Sequence, residues 1–142
     1  MTSTPVYRAP MRSRSDEIDH GAAVERALDL GLVGVGRLGA EHEQDRLVRR
    51  LERFAEVPAG AFVWTVDADG QPHLGRITGA LRQDPDGRAL DLVDVRPCEW
   101  RTAPSVPAGV AQTFARGGRN FQQVHAPGVE RQTQEVWDAL AP

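Results

Sequence analysis

The sequence predicts an α+β domain built on a strongly curved, mostly antiparallel or mixed β-sheet with helices packed around it. Three observations lead there. Residues 62–100 read as a hairpin followed by a further strand, apolar residues recur at helical spacing before and after that block, and Pro/Gly clusters punctuate the chain without forming a credible linker. At 142 residues the chain fits a single domain, taken here as 1–142, with enough length for one sizeable core.

Taken in order, Met1 to Pro5 reads as a flexible lead-in and Val6 to Met11 as a short first strand. Ser15-Asp16-Glu17 suits a helix start, with Ser15 or Asp16 as cap and acids in the first turn. Ile18, Ala22, Val24 (less well placed), Ala27, Leu28 and Leu30 continue a helical stripe until Gly31 stops it. The run Leu32 to Arg37 is strand-like but broken by Gly34 and Gly36, which mark a bulge or a close approach to the backbone. Gly34-Val35-Gly36 lacks the third glycine and the immediate strand-to-helix context of a phosphate loop. Glu41 to Val57 reads as a second helix, with Leu47, Val48, Leu51, Phe54 and Ala55 on one face. Its arginines, Arg46, Arg49, Arg50 and Arg53, share the remainder with acids and read as a solvated, ion-paired face, with nucleic-acid contact as the minority alternative.

The central block starts with Ala61 to Val66 and His73 to Thr78 around the turn Asp67-Ala68-Asp69-Gly70, whose Asp/Gly chemistry suits a tight hairpin. Alternation sets Phe62, Trp64 and Val66 on one face and Val63 and Thr65 on the other. A polar connection, Leu81 to Ala89, leads to a strand Leu90 to Val95 that Pro97 ends or bends. After a proline-punctuated stretch, Val110 to Phe114 suggests a short helical turn. The segment from Arg116 to Gln122 offers glycines for access and arginine, asparagine and glutamine for hydrogen bonds, a composition that suits phosphate and base-edge contacts and equally a plain surface turn. Val129 to Leu140 reads as a closing helix with Trp137 as a packing residue.

Composition excludes several classes. All 17 basic residues are arginine, which GC-rich coding explains as well as function does. A net charge of −3 argues against a generic, salt-driven nucleic-acid coat protein, but Arg116, Arg119 and Arg131 stand where acids are few and leave room for a local positive patch. No apolar run approaches the roughly 18 residues of a membrane span, and no secretory-type apolar segment follows Met1. A single cysteine, Cys98, rules out an internal disulfide and a cysteine-based zinc cluster, so a reduced, cytoplasmic protein without cofactor is expected. The histidines at 20, 42, 73 and 125 form no helix-borne metal pattern. Asp16, Asp19 and His20 are close in sequence, but a catalytic set is defined by geometry across the fold, and the expectation is a protein that is not an enzyme.

The order of these motifs resembles PUA-like modules of the EVE and YTH kind, especially those at the N-termini of modification-dependent restriction proteins. The likeness is carried by the Gly34-Val35-Gly36 strand before a helix, Ala59 to Thr65, His73 to Gly79 and Val95 to Trp100, and it spans about Val6 to Phe121. It implies a barrel-like sheet with a pocket for a modified base, and a non-catalytic reader that flips that base out of a nucleic acid, DNA in particular. The family's Gly-x-Gly strand end falls on Gly34 and Gly36, and the following position, often tryptophan in the group, is Arg37 here. Trp64 and Trp100 correspond to strand positions that face either pocket or core, and Arg119, Asn120 and Phe121 to the segment closing the module near the ligand; on this resemblance Arg37 and Trp64 are expected to contact the base as pocket wall, and Arg116, Arg119 and Asn120 to position the backbone. Two rivals stay open: an interaction module recruiting a separate nuclease, and a small enzyme acting on a nucleobase through Asp16, Asp19 and His20.

Overall fold

The computed structural model describes residues 3–38, 44–118 and 120–140. In chain order these form β1 (Val6–Arg8), α1 (His20–Leu30), β2 (Leu32–Val35), α2 (Gln44–Glu56), β3 (Phe62–Val66), β4 (Pro72–Ile77), β5 (Arg82–Gln83), a 3-10 segment (Pro85–Leu90), β6 (Asp94–Thr102), α3 (Ala108–Ala115), β7 (Gln122–Gln123) and α4 (Val129–Ala139). The strands make one curled, half-barrel sheet in the order β2-β6-β4-β3-β1-β7, with β5 also on β6. Every pairing is antiparallel except β1 with β3. A parallel pair needs a long crossover, and α1, β2 and α2 lie in it. The α+β class and the mixed sheet are as the sequence predicts. No helix among the described residues is long and apolar enough to cross a membrane.

The expected hairpin forms with Trp64 opposite Leu74. Asp67 shapes its turn by accepting from the Asp69 and Gln71 backbone N–H groups, while Gly70 takes φ +82°. Strand alternation then sends neighbouring side chains into two cores. Val63 joins Val33, Phe54, Ile77 and Val95 on the side of α1 and α2, and Phe62 and Trp64 join Leu74, Val110, Val129 and Trp137 on the side of α3 and α4. The central strands are therefore covered on both faces, which is why β3 reads as a nearly continuous apolar run.

Several boundaries differ from the expectation: β1 ends at Arg8 and not Met11, and the connection over Leu81 to Ala89 holds β5 and most of the 3-10 segment. Helix α1 starts at His20, capped by Asp19, whose Oδ1 accepts from the Ala22 N–H at 3.1 Å. The earlier serines are occupied locally: the Ser13 hydroxyl accepts from the Ser15 N–H and the Ser15 hydroxyl from the Glu17 N–H. Such side-chain-to-backbone bonds hold a turn in place of a helix. The stop at Gly31 is as expected, with φ +67° and its N–H on the Ala27 carbonyl. The strand expected over Leu90 to Val95 instead runs Asp94–Thr102, because the 3-10 segment extends to Leu90 and Asp91 adopts a left-handed φ of 53°. Pro97 does not end β6. The strand changes neighbours there, pairing with β2 over Asp94 to Pro97 and with β4 over Cys98 to Thr102. The second helix's expected start at Glu41 lies outside the described residues.

Buried arginines tie the layers together. Arg96 donates to the carbonyls of Phe54, Val57 and Gly79, satisfying groups that the end of α2 leaves open. Arg8 donates to the Thr113 carbonyl and to Gln122 Oε1, fixing β1 to α3 and β7.

Candidate functional site

Where the end of β2 meets the 11–14 segment, a face of α2 and the 120–122 segment, the structure holds a cavity of about 360 Å³. Its wall is formed by chain stretches more than 100 residues apart in sequence. Gly34, Val35 and Gly36 contribute the strand edge, Met11 to Arg14 one side, Asn120, Phe121 and Gln122 another, and Arg46, Arg50 and Arg53 the helix side. Arg46, Arg50 and Arg53 are spaced four and three apart, and at about 100° of rotation per residue they share one stripe of α2. Arg49 points elsewhere and donates to its own helix at the Asp45 carbonyl.

Among the described residues, five arginines (12, 14, 46, 50 and 53) and one carboxylate, Asp91, line the cavity. That carboxylate is buried and already engaged. It accepts from the Ser13 hydroxyl at 2.8 Å, from the Arg37 N–H at 2.9 Å and from the Leu38 N–H at 3.3 Å. Asp91 thus anchors two of the segments that shape the wall. Crowding of cations is visible at Arg50, whose guanidinium is pressed below its ordinary value first by burial and then by the Arg14 and Arg46 charges, with Asp91 acting in the opposite sense. Arg14 donates to Asn120 Oδ1 at 3.1 Å, which ties the two sides of the mouth together.

Local backbone geometry is unusual here. Among the described residues only Met11 (φ 51°) and Asp91 (φ 53°) are non-glycines with positive φ, and both line the cavity. A side-chain-bearing residue in that region costs about 1 to 2 kcal/mol. At Gly36, a Cβ would lie 2.6 Å from Asp91 Oδ2, and at Gly34 one would lie 2.8 Å from Leu92 Cδ1. These glycines therefore admit the 91–92 segment, so the close approach that their sequence suggests is made by the protein itself. The apolar part of the lining includes Phe121, whose ring stacks on Tyr7 (centroids 5.1 Å, planes 14° apart) and meets Phe54 edge-on at 5.0 Å. Both partners hold it in one orientation.

Of the residues singled out in the sequence, Gly34, Gly36, Asn120 and Phe121 come together in this cavity. Arg37 sits beside it through its backbone, but its guanidinium turns to Asp94, with bonds of 2.5 and 2.8 Å. Trp64 is corrected from pocket wall to core: it is 0 % exposed, and its indole N–H donates to the Thr133 hydroxyl at 3.2 Å. Strand parity directs it at α4, away from the cavity. Trp100 is half-buried, spends its indole N–H on the Leu32 carbonyl at 2.8 Å, and lies over Gly75, which has no side chain to exclude it. Neither tryptophan lines the cavity. Arg116 is exposed at the end of α3 and outside the cavity wall, and Arg119 lies outside the described residues. Trp137 packs in the second core, with the Arg101 guanidinium 3.7 Å from its ring centroid.

Sequence reasoning missed Arg12, Arg14 and Asp91, and it read the α2 arginines as a solvated face. A signal was present for the last group. On a helical projection Arg46, Arg50 and Arg53 cluster within roughly 60°, and Asp45, Glu52 and Glu56 cluster on a different side. Arg49 projects beside those acids, so the segregation is partial and the stripe of Arg46, Arg50 and Arg53 is its visible part. Asp16, Asp19 and His20 are exposed and do not line the cavity. Among the described residues no three His, Cys, Asp or Glu side chains gather as metal ligands.

Comparison with known proteins finds no matching family model and no matching curated protein. Among solved structures, the chain is similar to the YTH domain of the Zygosaccharomyces rouxii MRB1 protein, crystallised in complex with N6-methyladenosine RNA. The two share 15 % identity over 97 % of this chain and 89 % of that one, with a TM-score of 0.48.

Proposed function

We propose that this chain is a non-catalytic nucleic-acid reader that admits a modified base, extruded from its stack, to the arginine-lined cavity. The observation that carries the reading is the lining itself: among the described residues, five arginines and one carboxylate already satisfied by protein donors, beside an aromatic ring held by two others. A cavity of about 360 Å³ falls within the range of about 300 to 1,000 Å³ usual for small-ligand sites. Excess positive charge attracts a phosphate-bearing polymer despite the chain's net charge of −3, because steering depends on the local field. Phe121 supplies a stacking surface, and stacking on an aromatic side chain is worth about 1 to 3 kcal/mol per base.

Within this proposal Phe121 and Asn120 meet the base and the glycines 34 and 36 shape the floor. Arg116 steers the nucleic-acid backbone from outside the cavity, Arg119 is expected to share that role, and Arg37 acts through its own backbone. Trp64 and Trp100 support the sheet. The PUA-like resemblance supplies the remaining detail, a modified base in DNA or RNA with DNA as the expected polymer; recruitment of a separate nuclease is the alternative reading.

The test is a binding panel of DNA and RNA oligonucleotides carrying different cytosine and adenine modifications beside unmodified controls. One modified oligonucleotide should bind at least about tenfold tighter than its control, the effect of roughly 1.4 kcal/mol at a base edge. Phe121→Leu, with the fold checked by circular dichroism, should weaken it about tenfold. Equal affinity across the panel would remove the specificity, and absence of binding to any member would remove the reader.

A further inference from the structure

We infer that Asn120 reads the admitted base as a hydrogen-bond donor only, so that the recognised base edge carries an acceptor there, a ring nitrogen or a carbonyl oxygen, and no amino group. This deepens the reader proposal and rests on it. Asn120 lines the cavity beside Phe121, and its Oδ1 accepts from Arg14 Nη2 at 3.1 Å. A guanidinium carries N–H donors and no acceptor, so the amide atom facing Arg14 is necessarily the oxygen. Among the described residues none accepts from the Asn120 amide N–H groups, and the side chain is exposed, so those donors are open to a ligand. The neighbouring residues fix where the amide stands. Phe121 is stacked on Tyr7 and meets Phe54 of α2 edge-on, and Gln122 opens β7 opposite Arg8 on β1. Arg14 holds the side chain itself from the other side of the mouth.

An asparagine with both ends of its amide available recognises adenine by a bidentate contact, accepting from the N6 amino group and donating to N7. With its oxygen taken by Arg14, Asn120 keeps only the donating half. An amino group brought against it sets N–H against N–H, and a donor shut away from water without a partner costs more than a satisfied bond gains. A carbonyl oxygen or an unprotonated ring nitrogen has the opposite polarity and completes the amide. Selection then works by excluding amino edges as well as by attracting acceptor edges. Arg14 is a positioning residue through that one bond, whatever else its guanidinium contacts.

The experiment uses the full chain and the tightest-binding oligonucleotide of the panel. Its recognised base is replaced in turn by analogues that each lack one acceptor, a ring nitrogen exchanged for C–H or a carbonyl oxygen removed. One replacement should weaken binding about threefold to tenfold, the loss of a single hydrogen bond. The same replacement should cost nothing further in Asn120→Asp, whose side chain has the same shape but only accepts, with the fold checked by circular dichroism. Arg14→Ala, which releases Oδ1 and lets the amide turn, should narrow the preference for a carbonyl over an amino group at that edge by at least about threefold; a merely structural Arg14 would weaken both ligands alike. Donor-only reading is overturned if the oligonucleotide binds but no acceptor deletion weakens it beyond about twofold. It is equally overturned if the deletion costs as much in Asn120→Asp as in the unaltered protein, or if Arg14→Ala keeps the carbonyl-over-amino preference. If no oligonucleotide binds, the reader proposal fails separately. The free nucleosides of the panel then decide the role of Asn120: saturable binding of an acceptor-bearing nucleoside, weakened in Asn120→Asp, upholds it, and no binding overturns it.

Discussion

Asp91 offers the sharpest test of how the cavity is built. Its carboxylate takes the Ser13 hydroxyl at 2.8 Å and the Arg37 N–H at 2.9 Å, with longer contacts to the Leu38 N–H. Bonds to a charged acceptor contribute about 1.5 to 3 kcal/mol each. Two short ones, less the solvation that half-exposed Arg37 regains from water, put Asp91→Ala at about 3 to 4 kcal/mol of destabilisation. The left-handed φ of 53° modifies this in a predictable way. Alanine inherits that conformation, whereas glycine adopts it freely, so Asp91→Gly should be about 1 kcal/mol milder than Asp91→Ala. Asn tolerates the same conformation and keeps one acceptor oxygen, so Asp91→Asn should cost only about 1 to 2 kcal/mol. The series Ala, Gly, Asn is read by equilibrium urea unfolding at constant m-value. An alanine variant within about 0.5 kcal/mol of the parent, or a glycine variant no better than alanine, would refute the anchoring role and the backbone argument respectively.

Other positions carry simpler expectations. Trp64→Ala should destabilise by about 3 to 5 kcal/mol, since the side chain is fully buried and its loss also strands the Thr133 hydroxyl; near-parental stability in denaturant would contradict the core assignment. Gly75→Ala should cost about 1 to 3 kcal/mol, because a Cβ there would lie 2.5 Å from Cys98 Sγ and 2.7 Å from Trp100 Cε3. A thermal midpoint unchanged from the parent would argue against that packing. Cys98 is buried, and burial pushes its thiol up, so alkylation should be negligible in the native protein and rapid in denaturant; fast native labelling would show that the site opens. The His73 hydrogen bond holds the Asp67 carboxyl below its usual range. A depressed folded value means that this stabilisation is complete at neutral pH and fades as pH falls from about 5 through the folded value. The stability gap between the parent and Asp67→Asn should therefore be flat above that window and close within it, and a gap independent of pH would count against the pairing.

Local pattern made much of the fold legible. The hairpin follows from an Asp/Gly turn between two alternating runs, the stop of α1 from Gly31 in the left-handed region, and the two-faced burial of β3 from side-chain alternation. Asn120 was likewise visible as a candidate from polar composition, and Gly34 and Gly36 as a close backbone approach from glycine placement, whereas Phe121 and the assignment of those glycines to a ligand site came from the family resemblance. Pattern could not assign faces. Trp64 on a strand covered from both sides has no outward face, so its aromatic character says nothing about a pocket until α4 is known to lie against it.

The sequence alone determined the α+β class, the hairpin and the helix stripes, because these depend on neighbours within a few residues. The cavity was decided only by tertiary structure. It exists where Arg14, Arg50, Asp91 and Phe121 meet, and the three-dimensional crossover of β1 onto β3 together with the left-handed bend at Asp91 brings those distant segments together. An arginine on α2 reads as a solvated surface charge when only its helix is considered. It becomes part of an arginine-rich wall when the 11–14 segment lies against it, since charge clustering is a property of distances in space that no local window of sequence contains.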